Sequence, residues 1–367
     1  MVKPLKVGLV GTGGISRRHL PAYQQFPDQV QLTAACDIVE GAVQEFGQRN
    51  QVDAIYTDFG KMLREADIDA VDICTAHNAH APLAIAAAEA GKHAITEKPM
   101  AISLDECRRM IDAADKAGVT LMVAQQLRHT LEAKAVKRML DEGTLGTIQA
   151  VKTHAIQGGG RPRRRAHGIS QWGRDKALAG GGILMMVSVH HIDLLRYYAG
   201  DVKRVSGVCQ SIQQHMLNGA EDMASATLEF ESGAVGNLFA NGTTYLAPEG
   251  SSYQIFGSSG TIVSTRPTDE QREIGAIPHF GDILYRLREE NPERSTVQNP
   301  QFDPIVTNAD DLPTANGFIN EILHFADCCR TGEEPISSGR DNIGTIKTIM
   351  GIYESSYTGE WVDLDSL

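Results

Sequence analysis

The sequence has few cysteines, and they form no pattern. Cys36, Cys74, Cys107, Cys209, Cys328 and Cys329 make neither a CxxC pair nor a spacing framework, which argues against a disulfide-stapled scaffold. Reduced, mostly buried thiols in a cytoplasmic protein are expected. Positive charge is also in deficit: 34 Lys and Arg stand against 46 Asp and Glu, a net charge of -12. Neither nucleic acid nor an anionic membrane is therefore expected as a partner, because both require a clustered positive surface. No apolar stretch is expected to reach the ~20 residues that span a bilayer. The opening MVKPLKVGLVG has too short an apolar run for a signal peptide and leads into glycines instead of a cleavage site, so it reads as a first strand. Internal repeats and low-complexity tracts are absent.

What remains is the composition of an ordinary globular chain, 42% hydrophobic and 22% charged. Its 367 residues predict two domains, at roughly 150 residues each. Through about residue 125, short apolar runs (LKVGLVG, QLTAAC, AVDIC, HAIT, TLMVA) alternate with helical patterns such as LAIAAAEAG. That alternation predicts βαβ units and a doubly wound parallel sheet over residues 1–128. Gly91 and Gly118 fall where left-handed helix caps are expected.

From residue 129 to 367 the texture changes. A helix is expected around 131–141. SATLEF and AVGNLF flank one turn at 231–233, and SYQIFG and TIVS flank another at 258–260. Hairpins predict a second α/β domain with a largely antiparallel sheet. One further helix is expected near 282–290, and two helices close the chain. Phe318, Ile322, Phe325 and Cys329 share a face in the first, and Ile343, Ile346, Met350 and Tyr353 in the second.

VGLVGTGGIS places Gly11, Gly13 and Ser16 at the spacing of a dinucleotide-binding turn, with Thr12, Gly14 and Ile15 completing it. Gly11 permits the tight turn, Gly13 lets the backbone approach a pyrophosphate, and the helix N-terminus supplies amides. Asp37 ends the second strand, where a carboxylate hydrogen-bonds ribose hydroxyls and repels the extra phosphate of NADP. NAD is therefore favoured over NADP, and Ile38-Val39-Glu40 brings no compensating cation. In CTAHNAH the spacing of Cys74, His77 and His80 suggests a metal site. A polar loop holding Thr75, Asn78 and His80 is equally expected beside the nicotinamide half of a cofactor, and no metal is expected. ITEKPM ends the fifth strand with Glu97, Lys98 and Pro99. Its lysine can hold a substrate hydroxyl; a solvated strand-end lysine is the plain alternative. Gln126 and Arg128, after the sixth strand, are further candidates for cofactor or substrate contact.

Taken together, GTGGIS with Asp37, TAHNAH, AGKHAITEKP and WGRDKALAGGGILMMVSVHHID resemble the Gfo/Idh/MocA oxidoreductases, which include glucose-fructose oxidoreductase and inositol dehydrogenase. The likeness runs from Val7 to the closing helices. It implies an N-terminal Rossmann domain and a C-terminal α/β domain whose open sheet commonly mediates oligomers, hence a homodimer or homotetramer. It further implies oxidation or reduction of one carbon of a sugar, cyclitol or related polyol with NAD or NADP. By position, Lys98 matches the family's EKP lysine, His190 its catalytic histidine, and Trp172 the aromatic residue that lies near the cofactor. A neutral imidazole can take the hydroxyl proton as hydride leaves, while Lys98 orients the hydroxyl and stabilises alkoxide charge.

The resemblance breaks at two places. The family's carboxylate four residues before the histidine is Met186, and its glycine two residues before is Ser188. In a regular helix Met186 and His190 share a face. Three readings stay open: Asp193 supports His190, the substrate places a less polar or bulkier group beside Met186, or catalysis is lost and binding kept. His191 points about 100° away around such a helix, toward structure or, with lesser weight, substrate. The basic stretch QGGGRPRRRAHG at 157–168, with Arg164, is either a solvated loop or a clamp on an anionic or bulky substrate group. Two alternatives to a dehydrogenase also stand: redox-neutral glycoside cleavage using bound NAD, and a non-catalytic sensor.

Overall fold

The computed structural model describes residues 3–156, 171–213, 216–243, 250–265, 280–288 and 302–367. Six short strands build the first sheet: β1 (Leu5–Val10), β2 (Val30–Cys36), β3 (Ala54–Tyr56), β4 (Ala70–Ile73), β5 (His93–Glu97) and β6 (Leu121–Ala124). They pair in the order β3-β2-β1-β4-β5-β6, every pair parallel. Strands covered on both faces need no polar alternation, and AVDI of β4 and LMVA of β6 are buried throughout. Between them run α1 (Ser16–Gln25), α2 (Glu40–Asn50), α3 (Phe59–Glu65), α4 (His80–Glu89) and α5 (Leu104–Ala117). Gly91 and Gly118 adopt φ of +69° and +66°, the left-handed caps that their positions predict.

The chain divides into two compact units. The first comprises residues 1–129, 177–180 and 312–346; the second, residues 130–176, 181–311 and 347–367. The helix α9 (Gly317–Thr331) thus belongs with the parallel sheet. Its Ile319, Ile322, Leu323, Phe325 and Ala326 join Leu5, Val7, Leu9, Val30 and Ile95 in one buried cluster.

The second unit is built on a sheet of β7 (Ile148–Ile156), β8 (Val202–Gln210), β9 (Met223–Phe230), β10 (Val235–Asn241), β11 (Ser252–Gly257), β12 (Gly260–Ser264), β13 (Ile283–Leu287), β14 (Asp303–Pro304) and β15 (Val362–Asp363). Their order is β14-β13-β12-β11-β7-β10-β9-β8-β15, and only β7 and β10 run parallel. The two expected hairpins, β9–β10 and β11–β12, are present with their turns in place. The helix expected near 282–290 is instead strand β13, with Ile283 opposite Ser264 and Leu287 opposite Gly260. Pairing with the otherwise open edge of β12 overrides the helical propensity of its Leu and Arg residues. Helix α6 (Leu131–Asp141) lies where expected, and the short α7 (Lys176–Ala179), α8 (Val189–Ala199) and α10 (Gly339–Thr358) complete the helices among the described residues.

One helical segment, Lys176–Ala199, is long and apolar enough to cross a membrane by length and composition, against the sequence expectation of none. Its most apolar window is 83% buried within the protein, the behaviour of a core helix. The six cysteines are unpaired, and Cys36, Cys74, Cys107 and Cys328 are buried.

Candidate active site

Gly11 opens the turn between β1 and α1 with φ of +90°. A Cβ there would lie 2.5 Å from the Cys74 carbonyl oxygen and 2.9 Å from Thr75 Cγ2, so the glycine turn and the loop after β4 pack at backbone distance. Gly13 and Gly14 are exposed, and no atom lies within 4 Å of a Cβ built on either. Immediately beyond, α1 starts without a side-chain cap and without an acid in its first turn, while Ser16 Oγ donates inward to the Gly13 carbonyl at 2.8 Å. An open glycine pair before an uncapped, acid-free helix N-terminus is suited to a pyrophosphate. Those features fit NAD.

Asp37, just past β2, shapes the same turn from the neighbouring strand. Its Oδ2 accepts from the Thr12 amide at 2.8 Å and the Thr12 hydroxyl at 2.9 Å, and its Oδ1 from the Val39 amide at 2.9 Å. A carboxylate offers about four acceptor sites, so capacity remains for ribose hydroxyls. Ile38 beside it is 91% exposed and brings no charge. Asp37→Ala should lower the ratio of NAD to NADP affinity by about tenfold or more, since a hydrogen bond to a charged group contributes about 1.5–3 kcal/mol. Fluorescence titration of both dinucleotides reads that ratio.

The loops after β4 and β5 are tied together. His80, the first residue of α4, directs Nδ1 to the Pro99 carbonyl at 2.8 Å and Nε2 to the Thr75 carbonyl at 3.2 Å. Burial lowers its pKa against the pull of those carbonyls. His77 directs Nδ1 to the Ala179 carbonyl at 2.9 Å, and burial, His80 and Lys98 hold its pKa well below the usual range. Both rings thus serve the backbone, while Asn78 is exposed and Thr75 half-buried. Glu97 is buried, and its Oε2 accepts the Lys98 amide at 3.0 Å. Burial lowers the pKa of the Lys98 ammonium, and Glu97 offsets part of that. Gln126 is buried on the turn after β6. Arg128 is 2% exposed, donating to the Ile336 carbonyl at 2.6 Å and pairing with Asp341 at 2.8 Å, a brace inside the first unit.

In the second unit the glycines of GGGILMMVSVHHID approach Glu221. Gly182 and Leu184 amides donate to the two Glu221 carboxylate oxygens at 2.7 and 2.8 Å, and the Tyr353 hydroxyl adds a third bond at 2.9 Å. Burial raises the Glu221 pKa against those donors. A Cβ on Gly181 would lie 1.9 Å from Tyr353 Oη. Beyond this anchor, Leu184–Ser188 form a π-turn before α8. Its wider i→i+5 winding means that the regular spacing assumed for Met186 and His190 is not kept across the segment. Met186 is half-buried, whereas His190, His191 and Asp193 are buried. His191 bonds Thr153 Oγ1 on β7 at 2.8 Å and packs edge-to-face with Phe280, ring centroids 5.1 Å apart, within the unit's interior. Trp172 is half-buried on a short 3₁₀ turn. Arg164 and the stretch 157–168 lie outside the described residues.

Sequence reasoning missed Glu221, Tyr353, His19 and Asp72. Asp72 carried a signal, an acid inside an otherwise apolar parallel strand. His19 and Asp72, with Cys74, form a buried group whose ligand atoms lie within 4.8 Å of one another. Both Asp72 oxygens sit 2.9–3.0 Å from His19 Nδ1, the spacing of a hydrogen-bonded ion pair. Burial and Asp72 raise the Cys74 pKa well above the thiol range, so in this environment it is a thiol.

Residues 5–125 match the family described as "Oxidoreductase family, NAD-binding Rossmann fold", and residues 137–364 match its "C-terminal alpha/beta domain". The chain is 28% identical over 367 residues to D-apiose dehydrogenase of Paraburkholderia graminis, covering 100% of this chain and 91% of that one. It is 27% identical to myo-inositol 2-dehydrogenase of Thermotoga maritima, covering 95% and 94%. The fold superposes on levoglucosan dehydrogenase in complex with NADH and levoglucosan with a TM-score of 0.83 at 25% identity, covering 98% and 99%.

Proposed function

The chain belongs by both of its domains to the Gfo/Idh/MocA oxidoreductase family, the first domain being its NAD-binding Rossmann fold, and from that premise we propose that its substrate is a secondary hydroxyl, or the matching keto group, of a sugar, cyclitol or glycoside. The observation that carries this reading is the Glu97-Lys98 turn. It ends β5 beside the loop that packs on the glycine turn, and His80 ties the two loops through the Thr75 and Pro99 carbonyls. The substrate class is supported by the names of the relatives, which act on apiose, myo-inositol and levoglucosan.

NAD bound at Gly11–Ile15 and Asp37 supplies the hydride acceptor. Lys98 orients the hydroxyl and stabilises its developing negative charge, and its lowered pKa favours sharing a proton with an alcohol. His190 takes the hydroxyl proton in oxidation and returns it in reduction, and Asp193, one helical turn on, supports it. Met186 is the contact for a less polar or bulkier substrate group, in place of the family's carboxylate. Thr75, Asn78, Gln126 and Trp172 are proposed to border the cofactor. The open sheet of the second unit is proposed to form a homodimer or homotetramer.

Incubating the protein with NAD and a panel of polyols, sugars and glycosides, with NADH absorbance followed, tests the reading. NADH should appear with at least one secondary alcohol. Glycoside cleavage without net NADH would replace it with the redox-neutral scheme, and dinucleotide binding without turnover of any ligand would replace it with a sensor.

A further inference from the structure

Beneath the Glu97-Lys98 turn, the first unit buries a chain of ionisable groups that the proposed chemistry does not use. His19 on α1 is fully buried. Its Nδ1 lies 3.0 and 2.9 Å from the two oxygens of Asp72 on β4, and its Nε2 lies 3.3 Å from Glu97 Oε1 on β5. Both ring nitrogens therefore face carboxylate oxygens. A neutral imidazole has one N–H, so with both carboxylates ionised, satisfying both sides requires the imidazolium. The remaining neighbours favour the same state: Tyr23 donates to Asp72 Oδ2 at 2.8 Å, and Cys74 Sγ lies 3.6 Å from Nδ1. Glu321 on α9 faces Nε2 at 3.8 Å, and its oxygens have no hydrogen-bond partner among the described residues. Burial holds Glu321 well above the usual carboxyl range, as a neutral acid.

We infer that His19 is a positioning residue for Lys98: as a buried imidazolium it keeps Glu97 ionised and aimed at the Lys98 amide, and so sets the charge and orientation of the lysine. The link is short and continuous. Glu97 Oε1 is held by His19, and Glu97 Oε2 by the Lys98 N–H at 3.0 Å. Burial disfavours charge on His19, yet Asp72 outweighs it and holds the imidazole well above the ordinary histidine range. Without that cation, the buried Glu97 and Asp72 carboxylates lose the positive charge that lies between them, which disfavours charge on Glu97. Lys98 then loses the Glu97 counter-charge that offsets part of its burial, while His77 and His80 beside it bring no negative charge. Its ammonium deprotonates at lower pH.

The catalytic consequence rests on the role proposed for Lys98, so the test reads the lysine directly. In His19→Gln and Glu97→Gln, acylation of Lys98 by a lysine-directed reagent, mapped by mass spectrometry across pH, should show its midpoint moved downward. The rate at pH 7 should rise by about tenfold, the scale of losing one buried counter-charge. An unmoved or upward midpoint in folded His19→Gln overturns the inference. A downward shift with turnover insensitive to Lys98 leaves the inference standing and overturns the proposed catalytic role. Should His19→Gln fail to fold, ¹⁵N-histidine NMR of the unaltered protein decides. One of its 12 imidazoles should stay doubly protonated through pH 8, and its absence overturns the inference.

Discussion

Lys98→Ala and His190→Ala should each remove most turnover while leaving NAD binding within about twofold of the parent. Positioned acid-base catalysis contributes about 10²- to 10⁴-fold, so kcat should fall within that range in either variant. In the proposed mechanism the two residues act on one proton transfer, so the double variant should fall by much less than the product of the single effects. Retained dinucleotide affinity is expected because the glycine turn is held by Asp37, which accepts from Thr12 and Val39 and keeps capacity for a ribose hydroxyl. Steady-state kinetics with the best substrate from the panel, beside NAD titration, separates chemistry from binding. The pH profile adds a second check. Lys98 carries a lowered pKa from burial, so its charge is present below that value and lost as pH rises through it. Activity should therefore decline on the alkaline side at a pH below the ordinary lysine range of about 10.4. Near-normal kcat in either single variant would remove that residue from its role.

Much of the architecture was legible because it is local. Strands buried on both faces leave uninterrupted apolar runs, glycines at helix ends mark left-handed caps, and Glu-Ser-Gly between two alternating runs marks a hairpin. These cues located β1, β2, β4, β5, β6 and the hairpins β9–β10 and β11–β12. What escaped is set by partners distant in sequence. β13 reads as a helix until the edge of β12 is there to pair with it. Nothing in the periodicity of α9 tells that its Ile322 and Phe325 pack beside β1. The site divides the same way. Gly11 and Asp37 announce themselves by their offset from strand ends, and the EKP turn by its strand. His19 and Glu221 do not, because their meaning lies in what they touch: Asp72 and Glu97 for the first, Gly182 and Leu184 for the second. A three-glycine stretch before a helix does signal close packing, although it does not name the partner.

Gly182→Ala should be the most damaging single-atom addition to the second unit. A Cβ at that position would lie 1.7 Å from the Glu221 carbonyl oxygen and 2.6 Å from the Glu221 carbonyl carbon and amide nitrogen, all of them backbone atoms. No rotamer change relieves such a contact, so the strand of chain at 181–184 must move away from Glu221. Moving it stretches the Ile183 amide bond to the Glu221 carbonyl at 2.8 Å, together with the Gly182 and Leu184 bonds to the carboxylate. The buried carboxylate then keeps only the Tyr353 hydroxyl among these partners. Overpacking costs typically about 1–3 kcal/mol; a clash against fixed backbone falls at the upper end, about 3 kcal/mol, and the lost charge-assisted bonds add to it. For a unit of this size each kcal/mol lowers the melting temperature by roughly 2–4 °C, so a fall of about 6–12 °C or more is expected by calorimetry. Turnover should drop with it even below that transition, because the π-turn leading to His190 starts from the same anchor. Gly13→Ala is the control: nothing lies within 4 Å of its Cβ, so it should melt with the parent protein while binding NAD less tightly. If Gly182→Ala melts where Gly13→Ala does, the Glu221 anchor does not govern the stability of the second unit.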